Sequence, residues 1–288
     1  MSAPVPPGGS VTIHHLDCAT MCPLGGRLLL GSGGPLFGRL VSHCLLVESE
    51  AGLILVDTGF GTGDVTDPGR LGRQFRFNSR PQLSLARTAL HQIRILGHDP
   101  RDVRHIVLTH LDPDHAGGLA DFPQAQVHLL ADELRAAREL ATRAERQRYR
   151  TAQWEHNPRW VEHQATGTES WFDFQAIPLL PDELPELLLV PLVGHTRGHT
   201  GVALRDDDGW LLHCGDAYLS RADVAPDSAG GPPVLSMFQR AIATDDRTRR
   251  HNLERLRDLA RSHADEVRLV CSHDPYELVE ALGRVAPR

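Results

Sequence analysis

Short apolar runs alternate with polar turns along most of the chain, and this pattern predicts strands joined by turns and helices. Runs of about four to eight apolar residues bounded by Gly, Pro, Asn or Asp are typical of buried strands, whereas apolar positions three and four residues apart indicate amphipathic helices. The predicted strands are 11–16, 41–48, 53–56, 106–109, 127–130, 187–193, 201–204, 210–213 and 267–271. The predicted helices are 83–96, 132–150, 248–261 and a closing helix from Pro275.

Strands and helices alternate in both halves of the chain, and the segment between the halves does not have the composition of a linker. A stretch rich in Gly and Arg, 59–81, and a stretch rich in Pro and Gly, 225–233, are predicted as loops. We therefore expect residues 1–288 to form a single α/β domain. Loop and helical insertions around 60–100 and 132–175 are expected to shape a substrate pocket.

The segment 110–118, HLDPDHAGG, follows the predicted strand 106–109 directly. A loop held at the end of a buried strand is a rigid platform, and imidazole and carboxylate groups supply the nitrogen and oxygen ligands of divalent metals. The alternative interpretation is a solvated acidic turn. We favour a metal site whose candidate ligands are His110, Asp112, Asp114 and His115.

Three further predicted strands also end in residues that bind metals. They lead into the segments 194–200, GHTRGHT, 214–217, CGDA, and 271–274, CSHD. A single histidine after a strand is more often a hydrogen-bonded turn residue than a ligand. Four such strand ends together supply enough donors for two metal ions, with one carboxylate bridging them.

These ordered motifs resemble those of the metallo-β-lactamase fold superfamily over almost the whole chain, from Asp57 to His273. The resemblance implies a four-layer αββα sandwich, with the metals in a cleft at one edge. It also implies that Asp57 orients the ligand loop. The metal ligands that it implies are His110 and His195 for the first metal, Asp114, His115 and His273 for the second, and Asp216 as the bridge.

Position 112 departs from this family pattern, because most members have histidine there and this chain has Asp112. We expect Asp112 to bind the first metal through a hard anionic oxygen. Two divalent metal ions are expected. Zinc is the first candidate, and iron and manganese are alternatives because of Asp112. In the other interpretation, Asp112 points away and the first site is weak or empty. The flavodiiron branch has glutamate at this position, so a di-iron redox protein is an alternative function, although 288 residues leave no room for a flavodoxin domain.

The resemblance implies a hydrolase that attacks its substrate with a hydroxide bridging the two metals. Asp114 is also expected to orient the nucleophile or pass its proton to the leaving group. Tyr218 is a candidate hydrogen-bond donor to the developing oxyanion.

The expected substrate is a small molecule with an apolar acyl portion, a carboxylic ester or a lactone of the acyl-homoserine type. Six of the chain's 15 aromatic residues lie within 149–174, and they are expected to wall an apolar pocket. A thioesterase of the glyoxalase II type is an alternative, and a non-catalytic binding protein is a third.

The composition of the chain limits which partners the protein is expected to bind and where in the cell it is expected. The net charge of −7 argues against nucleic-acid binding, and no apolar run reaches membrane-spanning length. The N-terminus shows no secretory signal, and five scattered cysteines are typical of reduced thiols, so a cytoplasmic protein is expected. A homodimer, a metal-binding or bonded pair of Cys18 and Cys22, and a structural role for His199 are left open.

Overall fold

The computed structural model describes residues 11–27 and 31–284, and two six-stranded sheets form its centre. In the first sheet the strands lie side by side in chain order. They are β1 (Thr12–Met21), β2 (Leu40–Ser49), β3 (Gly52–Val56), β4 (Val103–Val107), β5 (Gln126–Leu130) and β6 (Arg159–His163).

The second sheet is built from the C-terminal half of the chain, and its spatial order is β12-β11-β10-β9-β8-β7. Its strands are β7 (Glu169–Trp171), β8 (Phe174–Leu180), β9 (Leu184–Pro191), β10 (Thr200–Asp206), β11 (Gly209–His213) and β12 (Val267–Val270).

Nine α-helices lie among the described residues, together with several short 3₁₀ turns. The helices are α1 (Thr62–Thr66), α2 (Arg73–Ser79), α3 (Ala89–Ile95), α4 (Pro113–Ala116), α5 (Ala131–Glu139), α6 (Arg143–Arg148), α7 (Pro233–Ile242), α8 (Asp246–Ser262) and α9 (Pro275–Arg284). Within residues 11–27 and 31–284, no helix has the length and apolar character needed to cross a membrane.

The alternation of side chains along the strands produces four layers. On β2, Leu45 and Val47 point toward the second sheet and share an apolar cluster with its Leu189. Cys44 and Leu46 point the other way and share a cluster with α3 and α5. The outer face of the second sheet packs in the same manner against α8. The predicted αββα fold is therefore confirmed.

Strand directions bring the motif-bearing loops to one edge of the sandwich. β3 runs parallel to β4, β11 runs parallel to β12, and β9 shares their direction because β9 and β11 are both antiparallel to β10. Backbone hydrogen bonds join the two sheets near this edge. Thr200 N donates to Thr109 O at 2.9 Å, and His43 N donates to Ser272 O at 2.9 Å.

The predicted helix 132–150 is wrong in one respect, because the chain breaks it into α5 and α6. Leu140 takes a φ of 47°, which ends α5, and Thr142 then caps α6. The Thr142 hydroxyl accepts from Glu145 N at 3.1 Å, and the Glu145 carboxylate accepts from Thr142 N at 2.9 Å. This capping box starts a separate helix.

The insertions contain more regular structure than the sequence pattern predicted. The predicted loop 59–81 contains α1 and α2, the predicted loop 225–233 is followed by α7, and the region 150–175 contributes β6 and β7. The predicted helix 83–96 is shortened to α3, because Thr88 caps it by accepting from His91 N at 3.2 Å. These elements are short and amphipathic, so their periodicity extends over too few residues to be read from sequence.

Candidate metal centre

One cluster of ligand atoms contains the residues predicted for the second metal, and we call it the second position. It is formed by Asp114, His115, His273 and Asp216. His115 Nε2 lies 3.4 Å from Asp216 Oδ1 and 3.8 Å from Asp114 Oδ2. His273 Nε2 lies 3.1 Å from Asp216 Oδ2 and 3.6 Å from Asp114 Oδ2. All four residues are buried, so this is a compact set of two imidazoles and two carboxylates.

The other cluster contains the residues predicted for the first metal, and we call it the first position. It is formed by His110, Asp112 and His195, with Asp216 at its border. Asp112 Oδ2 lies 3.4 Å from His110 Nε2 and 3.3 Å from His195 Nε2. Asp216 Oδ2 lies 3.5 Å from His195 Nε2, so one aspartate faces both clusters. The structure therefore brings all seven predicted ligands together, and Asp112 points into the cluster rather than away.

The donor atoms fit divalent metal ions. Separations of 3.3–3.5 Å between donors match the edge of a tetrahedron around an ion about 2.0–2.1 Å from each donor. Within the described part of the chain, His110 Nε2, His115 Nε2 and Asp216 Oδ1 are buried and have no hydrogen-bond partner. Buried polar atoms are nearly always paired, so unpaired atoms that converge on one point indicate a cation-binding site.

Asp57 fixes the second position. Its Oδ2 accepts from His115 Nδ1 at 2.8 Å and from Thr109 Oγ1 at 2.8 Å, and its Oδ1 accepts from Thr109 N at 2.8 Å. A bond to Nδ1 leaves Nε2 of His115 directed at the cluster. Burial alone would lower the pKa of His115, but Asp216, Asp57 and Asp114 outweigh it and raise that pKa to about 10.

Glu133 on α5 performs a related task for the first position, and sequence analysis missed it. Its Oε1 accepts from Leu111 N at 3.0 Å, between His110 and Asp112 in the chain. Its Oε2 accepts from Gly198 N at 3.0 Å in the loop of His195. One fully buried carboxylate therefore joins both ligand loops of that position.

His199 and Val41 hold the remaining ligands. His199 Nδ1 donates to Leu192 O at 2.9 Å, and its Nε2 accepts from Asp216 N at 2.8 Å, which agrees with the structural role left open for this residue. His273 Nδ1 donates to Val41 O at 2.7 Å, so its Nε2 faces the cluster.

Arg148 is a second residue that sequence analysis missed. Its Nη1 lies 2.9 Å from Asp112 Oδ2 and 2.8 Å from His195 Nε2. Burial would raise the pKa of Asp112, but Arg148 and His110 outweigh burial and hold that pKa well below its usual range. Asp112 is therefore a partly buried carboxylate paired with a guanidinium.

The structure does not place Tyr218 with the ligands, and its predicted role as an oxyanion donor is wrong. The side chain is fully buried in the apolar cluster beneath α8. Its hydroxyl donates to Glu277 Oε1 at 3.0 Å. Tyr218 follows the Asp216 turn by two residues, and the chain there directs the ring into the core rather than into the cleft.

The predicted aromatic wall is also wrong. Tyr149, Trp154 and Trp160 pack in the cluster between the first sheet and its helices, and Trp171 and Phe174 pack on the second sheet. The cleft above the ligands has a volume of about 290 Å³. Its apolar wall comes from other parts of the chain, namely Met21, Leu40, Phe75, Leu219, Phe238 and Ile242.

The cysteines do not form a centre of their own. All five are free thiols, and Cys18 is buried while Cys22 is partly exposed. Burial and a hydrogen bond with Cys18 raise the pKa of Cys44, so the neighbour of Cys18 in the fold is Cys44.

Comparison with known proteins agrees with this architecture. The model of the metallo-beta-lactamase superfamily matches residues 37–263. A probable metallo-hydrolase of Mycobacterium tuberculosis is 43% identical over 274 residues, which cover 95% of this chain and 83% of the relative. An N-acyl homoserine lactonase of Bacillus thuringiensis is 32% identical over 134 residues, 46% of this chain and 49% of its own length.

A solved N-acyl homoserine lactone hydrolase, with the product N-hexanoyl-L-homoserine bound at its catalytic metal center, has the same fold. It superposes with a TM-score of 0.69 at 19% identity, covering 95% of this chain and 96% of that one. Fold and relatives together define a metal-dependent hydrolase. The chain belongs to the metallo-beta-lactamase superfamily. The predictions of family, fold and enzyme class are confirmed, whereas the number and identity of the metals stay predictions.

Proposed function

We propose that this protein hydrolyses carboxylic esters with two divalent metal ions, zinc first, and that lactones with an apolar acyl chain are its preferred substrates. The observation that carries the proposal is the position of the ligand cluster. Asp112, Asp114, His195, Asp216 and His273 line one end of a cleft whose other wall is apolar. A scissile ester group at the polar end would leave its acyl chain against that wall.

Two of the similar proteins support this substrate class. Both act on N-acyl homoserine lactones, which join an apolar acyl chain to a small polar ring. In this chain the corresponding apolar surface is supplied by α2 and α7, through Phe75 and Phe238.

The bound metals would lower the pKa of a water held between them and polarise the carbonyl oxygen of the ester. Asp114 lies at the cleft, and burial raises the pKa of its carboxyl, which makes this group a better proton acceptor than an exposed aspartate. In the proposed reaction the water oxygen bonds to the carbonyl carbon, and Asp114 takes the proton. The bond to the ring oxygen then breaks, and Asp114 returns the proton to that oxygen.

A substrate panel tests this proposal. We expect zinc-loaded protein to hydrolyse N-acyl homoserine lactones with a higher kcat/KM than aryl esters, thioesters, phosphodiesters or β-lactams. A preference for thioesters would favour the glyoxalase II type instead. Oxygen-dependent chemistry in an iron-loaded, coloured sample would favour the redox class.

The apolar wall that would contact the acyl chain can be tested with two phenylalanine variants. Phe238→Ala should lower kcat/KM by about tenfold for a long acyl chain and by less for a short one, because apolar contacts discriminate at this level. Phe77→Ala is the control, since Phe77 is 70% exposed and lies outside the cleft. Equal losses for both chain lengths would contradict the proposed acyl site.

A further inference from the structure

Arg148 occupies an unusual place for an arginine, at the end of α6 and inside the candidate metal centre. Its side chain is only 11% exposed. Nη2 donates to the carbonyl oxygen of Ile242, and Nη1 donates to Asp112 Oδ2 at 2.9 Å. The guanidinium is therefore anchored from two sides, by α7 and by the ligand loop.

The same Nη1 lies 2.8 Å from His195 Nε2, where it donates to the ring nitrogen. A neutral imidazole has one nitrogen lone pair that can accept. This lone pair can bind a hydrogen of Arg148 or a metal ion, but not both at once. Arg148 therefore uses the atoms of Asp112 and His195 that the first metal needs.

The second position has a different electrostatic environment. Among residues 11–27 and 31–284, the ion pairs of Asp114 and of Asp216 are all with histidines. A metal entering there displaces no arginine. It also meets His115 Nε2 and Asp216 Oδ1, which are both unpaired in the fold.

We propose that Arg148 is an internal cation that competes with metal for the first position, so that the protein takes up its two metal ions in sequence and with unequal affinity. The second position fills first. The first position fills only when the Arg148 guanidinium releases Asp112 and His195. This inference rests on the proposed two-metal function, but it concerns binding and does not depend on which substrate is hydrolysed.

Removing the guanidinium should therefore strengthen the weaker metal site. In Arg148→Met the side chain keeps a similar length and loses both its charge and its donors. Zinc titration of metal-free protein, by calorimetry against a competing chelator, should show a tight and a weak site in the unmodified protein. In the variant the weak site should become about 10- to 100-fold tighter, the range in which groups around metal ligands change affinity.

The control is Arg138→Gln. Arg138 is exposed on α5 and pairs with Glu162 of β6 at the surface, outside the ligand loops. Its zinc isotherm should match that of the unmodified protein. Two sites of equal affinity in the unmodified protein, or a weaker site that stays the same or loosens in Arg148→Met, would overturn the proposal.

A spectroscopic measurement on the unmodified protein covers the case in which Arg148→Met fails to fold. In protein labelled with ¹⁵N-arginine, the Arg148 guanidinium signal is identified by its absence from Arg148→Lys. It should stay in place with the first equivalent of zinc and shift with the second. A shift completed by the first equivalent, or none at two equivalents, would also overturn the proposal. Neither measurement uses turnover, so a failed substrate panel would leave this result interpretable.

Discussion

The two metal positions share Asp216 but are held by different kinds of support. Asp57 contacts a ligand side chain directly, through His115 Nδ1. Glu133 contacts the ligand loops through their backbone, at Leu111 N and Gly198 N. At the second position the supporting carboxylate therefore fixes a ligand imidazole directly. At the first position it fixes the backbone of the ligand loops, so that the ligand side chains can pair with an arginine.

The two supporting carboxylates also differ in charge. Burial raises the pKa of both, but beside His115 the pKa of Asp57 is lowered below its ordinary value. At Glu133 no cation outweighs burial, and its pKa stays raised despite hydrogen bonds from the amides of Leu111 and Gly198. An ionised Asp57 makes His115 a stronger ligand, which is in keeping with the proposal that the second position fills first.

Removing the shared carboxylate should have the largest effect. Asp216→Ala should lose metal from both positions and reduce kcat/KM at least about 10³-fold, because residues that act as a unit lose most of the rate when one is removed. Metal content and hydrolysis rates measure this. Asp216→Asn keeps the shape of the side chain but supplies a weaker ligand. Its metal content and kcat/KM should lie between those of the unmodified protein and of Asp216→Ala. Full activity in the alanine variant would refute the bridging role.

Asp57→Asn should act mainly on the second position. The amide can accept from Thr109 but no longer balances His115, so zinc affinity there should fall by about 10- to 100-fold. Asp64→Asn is a suitable control, since Asp64 is buried near the same loop but bonds to Gly61 N and Gln153 rather than to a ligand. Equal weakening of both positions would remove the distinction between them.

Glu133→Gln should act mainly on the first position, and more weakly. The glutamine side chain has one accepting oxygen, and its amide nitrogen only donates, so either Leu111 N or Gly198 N loses its acceptor. Zinc affinity at that position should therefore fall about tenfold. Glu139→Gln on the same helix is the control, because Glu139 pairs with Arg197 on the surface. An effect confined to the second position would contradict the assignment of Glu133.

A third buried carboxylate, Glu277, supports the His273 loop without touching a ligand, and we expect it to affect stability rather than metal binding. It accepts from Cys271 N at 2.7 Å, and burial raises its pKa to about 8. In the unfolded chain this pKa is about 4.3, so the stabilising contribution is complete below that value and is lost as the pH rises through 8.

The measurement is urea unfolding of the unmodified protein and of Glu277→Gln at several pH values. The difference in their free energies of unfolding should fall by at most about 1.4 kcal/mol per pH unit between roughly pH 4.5 and 8. A difference that does not change with pH would show that Glu277 does not titrate in this range.

The ligands could be predicted from sequence because each one follows an apolar strand. A strand that ends in a polar turn sets both the position and the rigidity of its first loop residues, and this information is local. Asp112 illustrates the limit, since its place in the chain was predictable but its pairing with Arg148 was not.

Arg148 and Glu133 could not be predicted because their roles depend on contacts between distant parts of the chain. Both lie in a segment that reads as one solvated helix with alternating Arg and Glu. The Thr142–Glu145 capping box is the local signal that divides this helix, and it was available in the sequence. What no local pattern shows is that the second piece places its last residue against the loop of Asp112.

For the aromatic residues at 149–174 and for Tyr218, a local signal was present, but it led to the wrong prediction. The density of aromatic residues at 149–174, and the place of Tyr218 two residues after Asp216, suggested a binding surface. Large apolar side chains near sheets mainly fill the core instead. The cleft uses Phe75 and Phe238 instead, on two helices that the sequence pattern did not predict.

The central claim is that this chain binds two metal ions in unequal positions around Asp216. The most direct test is crystallography with anomalous scattering at the zinc edge, on crystals equilibrated at increasing zinc concentrations. One peak is expected among Asp114, His115 and His273 at low zinc. A second peak among His110, Asp112 and His195 should follow at higher zinc, with Arg148 displaced. Filling of the first position before the second, or no peak at either, would contradict this claim.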